Sequence, residues 1–197
     1  MTDTLLWYAT RGAGGVSLVL FSAVMLLGVL SARRFEARGW PRFLTVGLHR
    51  NISLLALVFL LMHIVTAVVD PFTHLGWAAA VIPFSSYYRT VWLGLGVVAV
   101  ELMVAVVLTS LVREHIGLRA WRLVHWMAYA SWPVAVLHGF GTGTDAWSAW
   151  LFGLQILCIV AVIAAVVARL VLAPADRLAG ERSRFRAAAR IDSERPR

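Results

Sequence analysis

The chain contains several uninterrupted apolar runs that are about as long as a membrane's hydrocarbon core is thick. Of its 197 residues, 60% are hydrophobic and only 14% are charged, whereas soluble domains carry about 25% charged residues. A helix needs about 20 apolar residues to cross this core, because it rises about 1.5 Å per residue. The runs therefore predict an all-α integral membrane protein. Its five expected spans cover about residues 14–32, 43–69, 91–112, 121–140 and 147–172.

These spans divide the chain into an N-terminal segment (residues 1–13), a transmembrane domain (residues 14–172) and an arginine-rich tail (residues 173–197). The first run has no basic region before it and no persuasive small-residue cleavage site after it. We therefore interpret it as a retained span rather than a signal peptide. In the loop after the second span, residues 76–82 are apolar but too few to cross, so we expect a surface-lying or re-entrant turn there.

The fixed positive charges are all arginines, and they cluster in alternate connections of the chain. Most follow the first span, follow the third span or lie in the tail, whereas Arg11 and Arg89 are alone on the opposite side. Cytoplasmic loops of membrane proteins carry an excess of lysine and arginine. We therefore expect a multi-pass cell-membrane protein with an extracytoplasmic N-terminus and a cytoplasmic C-terminus. Because topology accounts for the net charge of +8, we expect no nucleic-acid partner.

Four of the six histidines occur as two pairs inside the apolar runs. His49 and His63 are fourteen residues apart in the second run. His125 and His138 are thirteen residues apart in the fourth run. Both spans are expected to run from the cytoplasm outwards, which places His49 level with His125 near the cytoplasm. His63 then lies level with His138 near the outer surface.

The two pairs differ in helical phase. An α-helix turns about 100° per residue, so the fourteen-residue step falls only about 40° short of four turns. The thirteen-residue step misses four turns by about 140°, which would point His125 and His138 to different faces. Pro133 lies between them, and a proline kinks a helix and alters its winding. We expect this proline to correct the phase of the second pair.

Two imidazoles on facing helices at one depth are the axial ligand set of a bis-histidine haem. We therefore expect an inner haem between His49 and His125. An outer haem is expected between His63 and His138. Ionisable groups within spans are rare and usually functional, although packing of four polar side chains is the alternative. A zinc or copper site is a further alternative, but no cysteine or carboxylate lies alongside to complete its shell.

The spacing His49-x13-His63 with His125-x12-His138 resembles the ferric reductase-like transmembrane domain family. That family includes NADPH oxidases, ferric-chelate reductases and the haem subunit of the bacterial methionine sulfoxide reductase system. The resemblance covers roughly residues 14–172 and implies that the four histidines ligate two b haems, one toward each leaflet. The eukaryotic relatives have six spans and a C-terminal FAD/NADPH module, whereas here about 24 arginine-rich residues follow five expected spans.

The absence of a Gly-rich dinucleotide fingerprint bears on the source of electrons. We expect no flavin or NAD(P)H site and no catalytic residue on this chain. A separate donor, either a cytosolic flavoprotein or membrane quinol, would supply electrons for an extracytoplasmic acceptor such as ferric iron or a partner protein. The chain would then be an electron-transfer subunit of an oxidoreductase. Two other functions stay open: a quinol-linked cytochrome b of a dehydrogenase or hydrogenase, and a haem-free transport or structural protein.

Several arginines lie near the expected haem levels. Arg50 adjoins His49, and Arg122 precedes His125 by about one turn. Haem propionates are carboxylates, which the planar guanidinium group suits, although positive-inside topology explains both residues equally well. On the outer side, Arg11 and Arg89 are candidates for the same role.

We expect structural rather than functional roles for the other polar and aromatic residues near the expected haem levels. Glu101 lies in the middle of the third span, and we expect a protonated carboxyl hydrogen-bonded within the bundle. Trp132 lies between the two haem levels, where packing is favoured over a place in the electron path. His74 and His115 lie outside the pairing.

Overall fold

The computed structural model describes the backbone of residues 2–32, 40–71, 73 and 75–193, and the side chains of residues 4–32, 40–71, 73 and 75–171. Within these ranges the regular elements are six α-helices and one 3₁₀ turn. They are α1 (Thr2–Ala32), α2 (Arg42–Val69), the 3₁₀ turn (Trp77–Ala80), α3 (Thr90–Leu111), α4 (Arg113–His125), α5 (Ala128–Thr142) and α6 (Ala149–Ser193). His74 and the arginines at positions 33, 34 and 38 lie outside the described residues.

Four of the described helices are, by length and composition, able to cross a membrane. The candidate spans are Thr4–Ala32, Arg42–Val69, Thr90–Leu111 and Ala149–Val171. At most 28% of the residues in the apolar window of each span are buried within the chain. Such exposed apolar surface is stable in a bilayer, because lipid tails are as apolar as leucine.

The second and third spans begin and end within one residue of the predicted positions. α2 ends at Val69, where Asp70 takes an extended conformation (φ −65°, ψ 115°). The residue before a proline is disfavoured in the helical region, and Pro71 follows here. The predicted surface turn is a 3₁₀ turn at Trp77–Ala80.

The first and fifth helices extend beyond the predicted spans. α1 begins at Thr2, so most of the expected N-terminal segment is helical. The fifth span was expected to end at residue 172, whereas α6 continues past this point and past Pro174 to Ser193. A proline removes one backbone N–H and bends a helix, but the helix can continue on its far side.

The fourth predicted span, residues 121–140, is divided between two helices. α4 ends at His125 and α5 begins at Ala128. Three i→i+3 backbone hydrogen bonds between residues 124 and 130 tighten the connection into 3₁₀ winding. α5 has only 15 residues and rises about 22 Å, less than a typical span requires. The fourth predicted span is thus formed by two helices, and neither is among the four helices that are long enough to cross a membrane alone.

The tightened segment lies between His125 and His138, where extra rotation of the helix is needed to bring the two side chains to one face. A 3₁₀ helix has three residues per turn and so advances about 120° per residue, about 20° more than an α-helix. The three i→i+3 turns therefore reduce the roughly 140° by which His125 and His138 would otherwise be out of phase. The tightened segment ends just before Pro133, whose missing N–H leaves the carbonyl of Tyr129 free of its i→i+4 bond.

The helices pack as two pairs, α1 with α2 and α3 with α5, and α6 packs against α1. A buried apolar cluster joins α5 to α6 and is covered by side chains of α1. Its members include Trp132, Val136, Cys158 and Val162, with Leu18, Phe21 and Met25 from α1. The indole N–H of Trp132 donates to Ser22 Oγ at 3.0 Å, which agrees with the packing role expected for this tryptophan.

Candidate functional site

The structure brings the four histidines of the spans together as two pairs. The ring centroids of His49 on α2 and His125 on α4 are 6.3 Å apart. Those of His63 on α2 and His138 on α5 are 6.2 Å apart. Each histidine therefore meets the partner that the sequence predicted for its depth.

Both distances match two imidazoles on opposite sides of one metal ion. A metal–imidazole bond is about 2.0 Å long and a ring nitrogen lies about 1.15 Å from its ring centre, so the two centroids should be roughly 6.3 Å apart. A direct N–H···N hydrogen bond between the rings would bring the centroids to roughly 5.2 Å. The observed spacing is that of a pair with room for an ion between its members.

Three of the four histidines are anchored through Nδ1 to a backbone carbonyl of a neighbouring helix. The pairs are His49 Nδ1 with Val24 O (3.1 Å), His63 Nδ1 with Thr10 O (2.8 Å) and His138 Nδ1 with Trp92 O (2.9 Å). A carbonyl can only accept a hydrogen bond, so in these bonds Nδ1 carries the proton and Nε2 keeps its lone pair. Metal-ligating histidines typically donate their second N–H in this way, which fixes the tautomer and the ring orientation.

His125 is held differently. Its Nδ1 is buried and has no hydrogen-bond partner among the residues that the structure describes. Its ring packs on the indole of Trp121 in a tilted arrangement, with centroids 4.9 Å apart and an interplanar angle of 31°. The indole N–H donates to Ser110 Oγ on α3 at 3.1 Å. His125 is therefore oriented by a ring contact, whereas the other three imidazoles are oriented by carbonyl bonds.

A cavity of about 1330 Å³ lies between the helices, and all four histidines line it. Pockets for a single small ligand usually measure about 300–1,000 Å³, so this one exceeds the space needed for one molecule. Its middle part is apolar, with lining side chains that include Leu57, Leu60, Val97, Val100 and Met103. An apolar cavity with two imidazoles at each of two levels fits two haems, because it suits both the macrocycle and the iron.

The donor set favours a metal that brings its own equatorial ligands. Within the described ranges, no three histidine, cysteine or acidic side chains are grouped as a metal site requires. Protein-bound zinc is normally held by three or four protein ligands. Paired histidines instead suit an iron whose four remaining ligands come from a porphyrin.

The two arginines predicted as propionate partners both line the cavity near the inner pair. Arg50 and Arg122 are exposed side chains that contribute to the cavity wall. A third arginine, Arg169 on α6, was missed by the sequence reasoning. Its guanidinium group donates to the Tyr129 hydroxyl at 2.7 Å and lies 5.4 Å from the ring centroid of Trp126. The signal for it is a lone arginine within an otherwise apolar run.

Arg11 and Arg89, the two arginines near the outer pair, form an ion pair and a hydrogen bond with other parts of the chain. Arg11 Nε lies 2.6 Å from Asp145 Oδ1, which ties α1 to the loop between α5 and α6. Arg89 donates to the backbone carbonyl of Gly141. Both arginines therefore connect helix ends on the outer side.

Glu101 departs from its expected setting. Its side chain is exposed on α3 and is not among the residues that line the cavity. The expectation of a carboxyl hydrogen-bonded within the bundle was therefore wrong. The cavity-lining face of α3 carries Gly96, Val100 and Met103, and one residue further along a helix turns the side chain by about 100°.

These features define a helical membrane protein whose interior presents two levels of paired histidines. The chain belongs to the ferric reductase like transmembrane component family, which it matches over residues 13–136. The match includes three of the four histidines and ends two residues before His138. No curated protein and no solved structure shows significant similarity to it.

Family membership confirms the resemblance read from the histidine spacing. The chain is a multi-pass membrane protein, and its family indicates transmembrane electron transfer in a ferric reductase-like system. Domains of this family typically bind haem and act with a redox partner.

Proposed function

We propose that this chain carries electrons across a cell membrane through two bis-histidine b haems, as the haem subunit of a ferric reductase-like system. The observation that carries the proposal is the 6.2–6.3 Å separation of ring centroids in both histidine pairs. Each haem, when bound, supplies an iron that takes up and releases one electron. The chain's own residues hold and orient the two groups.

The histidines have two tasks in this proposal. Nδ1 of three of the rings is fixed by a carbonyl, which leaves Nε2 of these rings as the nitrogen that would hold the iron. Held by two imidazoles from the chain, each haem would serve electron transfer rather than binding of oxygen or substrate. Between the levels, apolar side chains such as Leu57, Val97 and Val100 line the cavity.

The arginines support an orientation in which the His49–His125 level lies toward the cytoplasm. Positions 42, 50, 113, 119 and 122 all lie toward the helix ends that carry His49 and His125. By the positive-inside rule this end faces the cytoplasm, with the N-terminus outside and the C-terminus inside. We propose that Arg50 and Arg122 contact the propionates of the inner haem, since guanidinium groups bind carboxylates well.

The partners follow from this orientation. We propose a separate cytoplasmic-side donor, either a flavoprotein or membrane quinol, and an extracytoplasmic acceptor that is a protein or ferric iron. Anaerobic mixing of the purified haem-loaded chain with a quinol, without any flavoprotein, separates the two donors. Prompt haem reduction supports quinol, and its absence supports the flavoprotein.

The decisive experiment is a spectrum of the protein purified after expression with added haem precursor. We expect a reduced-minus-oxidised spectrum of low-spin b haem, at about two haems per chain by haemochrome assay. The control is a variant in which all four histidines are replaced by alanine. A colourless wild-type protein that elutes as a single species would contradict the proposed function.

A further inference from the structure

The three carbonyls that anchor histidine Nδ1 atoms share a feature of sequence. Each is followed four residues later by a glycine. The pairs are Thr10 with Gly14, Val24 with Gly28, and Trp92 with Gly96. In an α-helix the carbonyl of residue i accepts from the N–H of residue i+4, whose side chain lies on the same face. A glycine at i+4 therefore leaves the carbonyl accessible to a donor from a neighbouring helix.

At the outer level, the two glycines are in contact with the imidazole rings. A Cβ atom at Gly14 would lie 2.9 Å from Nδ1 of His63. A Cβ atom at Gly96 would lie 2.6 Å from Cε1 of His138 and closer still to its Nδ1. Nonbonded carbon contacts are optimal at about 3.5–4.0 Å, so any side chain at these two positions would displace the histidine.

At the inner level, Gly28 leaves more room. A Cβ atom there would lie 3.5 Å from Cε1 of His49, which is an ordinary van der Waals contact. The inner carbonyl bond, at 3.1 Å, is also the longest of the three. A methyl group should therefore be tolerated at this position but not at the outer two.

The glycines follow an interval of fourteen residues, the same interval that separates His49 from His63. Fourteen residues advance a helix by roughly 21 Å and nearly four turns, so Gly14 and Gly28 present one face of α1 at both levels. On α3, the same interval from Trp92 and Gly96 leads to Val106 and Ser110. A serine thus stands where the repeat would place the fourth glycine.

Ser110 explains the different setting of His125. Its hydroxyl donates to the carbonyl of Val106 at 2.7 Å, which is the carbonyl that the repeat assigns to His125. The hydroxyl oxygen of Ser110 also accepts a hydrogen bond from the indole N–H of Trp121 at 3.1 Å. This indole packs on the ring of His125. The hydroxyl therefore occupies the carbonyl and positions the packing partner at the same time.

We propose that Gly14 and Gly96 are positioning residues that admit His63 and His138 to their carbonyl anchors. We also propose that Ser110 makes the inner level distinct by withholding a carbonyl from His125. The proposal rests on the proposed function, because it concerns histidines that hold haem. A bond from Nδ1–H raises the basicity of a metal-ligating imidazole, so the number of anchored rings sets how strongly each level favours ferric iron.

The first test replaces single glycines by alanine and measures haem per chain. We expect Gly96→Ala to lower the content from about two haems to about one, and Gly14→Ala to lower it by a smaller amount. Gly28→Ala should retain both haems. Gly12→Ala is the matched control on α1, because a Cβ atom there would have no neighbour within 4 Å.

In this test, the inner haem that a variant still binds shows that its helix bundle is folded. Its low-spin electron paramagnetic resonance signal should keep its g values when Gly96→Ala loses the outer haem. Equal loss of both haems from a variant that elutes as a single species would overturn the proposal. The proposal would also be overturned if Gly96→Ala kept both haems, or if the control Gly12→Ala lost as much haem as Gly96→Ala. If Gly96→Ala does not fold, Gly14→Ala carries the test, since its clash is smaller.

The second test is Ser110→Gly, which removes the shorter of two side-chain hydrogen bonds to the carbonyl of Val106 and leaves that of the Thr109 hydroxyl at 3.2 Å. We expect a more negative midpoint potential for the inner haem, no change for the outer haem, and a smaller shift in Ser110→Ala. An unchanged inner potential in Ser110→Gly would overturn the role of the serine.

A readout without haem separates this proposal from the proposed function. In haem-free protein with ¹⁵N-labelled histidine, the Nδ1–H resonances of His63 and His138 should be protected from exchange in the wild type. The His138 resonance should lose this protection in Gly96→Ala. Protection that persists in the variant would contradict the positioning role, whether or not the wild type binds haem.

Discussion

The outer and inner histidine pairs contain the same ligands but are supported in different ways. At the outer level, His63 and His138 both donate from Nδ1 to a carbonyl, at 2.8 and 2.9 Å. At the inner level, His49 has such a bond at 3.1 Å, whereas His125 rests on the indole of Trp121. The outer level is therefore the more rigidly preorganised of the two.

The helices are also packed more tightly around the outer pair than around the inner pair. Beside the outer pair, the ring of Trp92 packs directly on Gly141, and that of Phe84 packs on Gly94. Beside the inner pair, α4 contains no buried residue, and Gly117 interrupts it with a positive φ of 79°. Identical ligands thus sit in a tightly packed region at one level and a loosely packed one at the other. We expect the inner site to be the more adjustable.

The largest expected effect comes from removing a ligand at either level. His63→Ala or His138→Ala should remove the outer haem and leave the inner one spectrally intact. His49→Ala or His125→Ala should do the reverse. Haem content and redox titration of each variant measure this. If every single variant lost both haems to the same extent, the assignment of two separate levels would be wrong.

A smaller effect is expected from Pro133→Ala. An alanine would supply the missing N–H and allow regular α-helical winding between residues 124 and 133. His125 and His138 would then move out of phase, so haem retention should weaken at both levels. The measurement is haem per chain after gel filtration, with Leu137→Ala as control, because Leu137 is exposed on the same helix and is not among the cavity-lining residues. Wild-type haem content in the proline variant would refute its role in the histidine phase.

The replacement Trp121→Leu tests the weaker support of the inner pair alone. An aromatic ring contact contributes about 0.5–1.5 kcal/mol beyond burial, so its loss should speed release of the inner haem by up to about tenfold. Transfer of haem to excess apomyoglobin gives the rate for each level. Trp150→Leu is the control for losing a tryptophan, because Trp150 is exposed on α6 and is not among the cavity-lining residues. Faster release from the outer level would contradict the comparison.

The smallest expected effects concern the arginines at the cavity wall. Arg50→Gln and Arg122→Gln should weaken retention of the inner haem by less than about fivefold, since exposed ion pairs contribute little. The shift should shrink further at high salt, because exposed charges are screened. Arg119→Gln is a matched control, because Arg119 is exposed on α4 and is not among the cavity-lining residues. Equal changes in all three variants would point to topology rather than propionate contact.

Much of the fold could be predicted because it depends on local properties of the chain. A helix has a fixed rise per residue, so run length located the second and third spans, and Pro71 located the end of α2. The same fixed rise placed His49 level with His125 and His63 level with His138. The expected phase error between His125 and His138 also located a change of winding, although the 3₁₀ segment lies before Pro133 rather than at it.

The remaining features depended on which surfaces come together. A glycine in a membrane helix can serve close packing of any kind, so its spacing alone did not identify Gly14 or Gly96 as neighbours of an imidazole. Likewise, nothing local indicated that Arg11 meets Asp145, or that Ser110 supports the indole beneath His125. The sequence by itself determined the apolar spans and the depth of each histidine. Only the tertiary structure decided which carbonyl, indole or carboxylate each side chain meets, because such contacts require two helices to approach within a few ångströms.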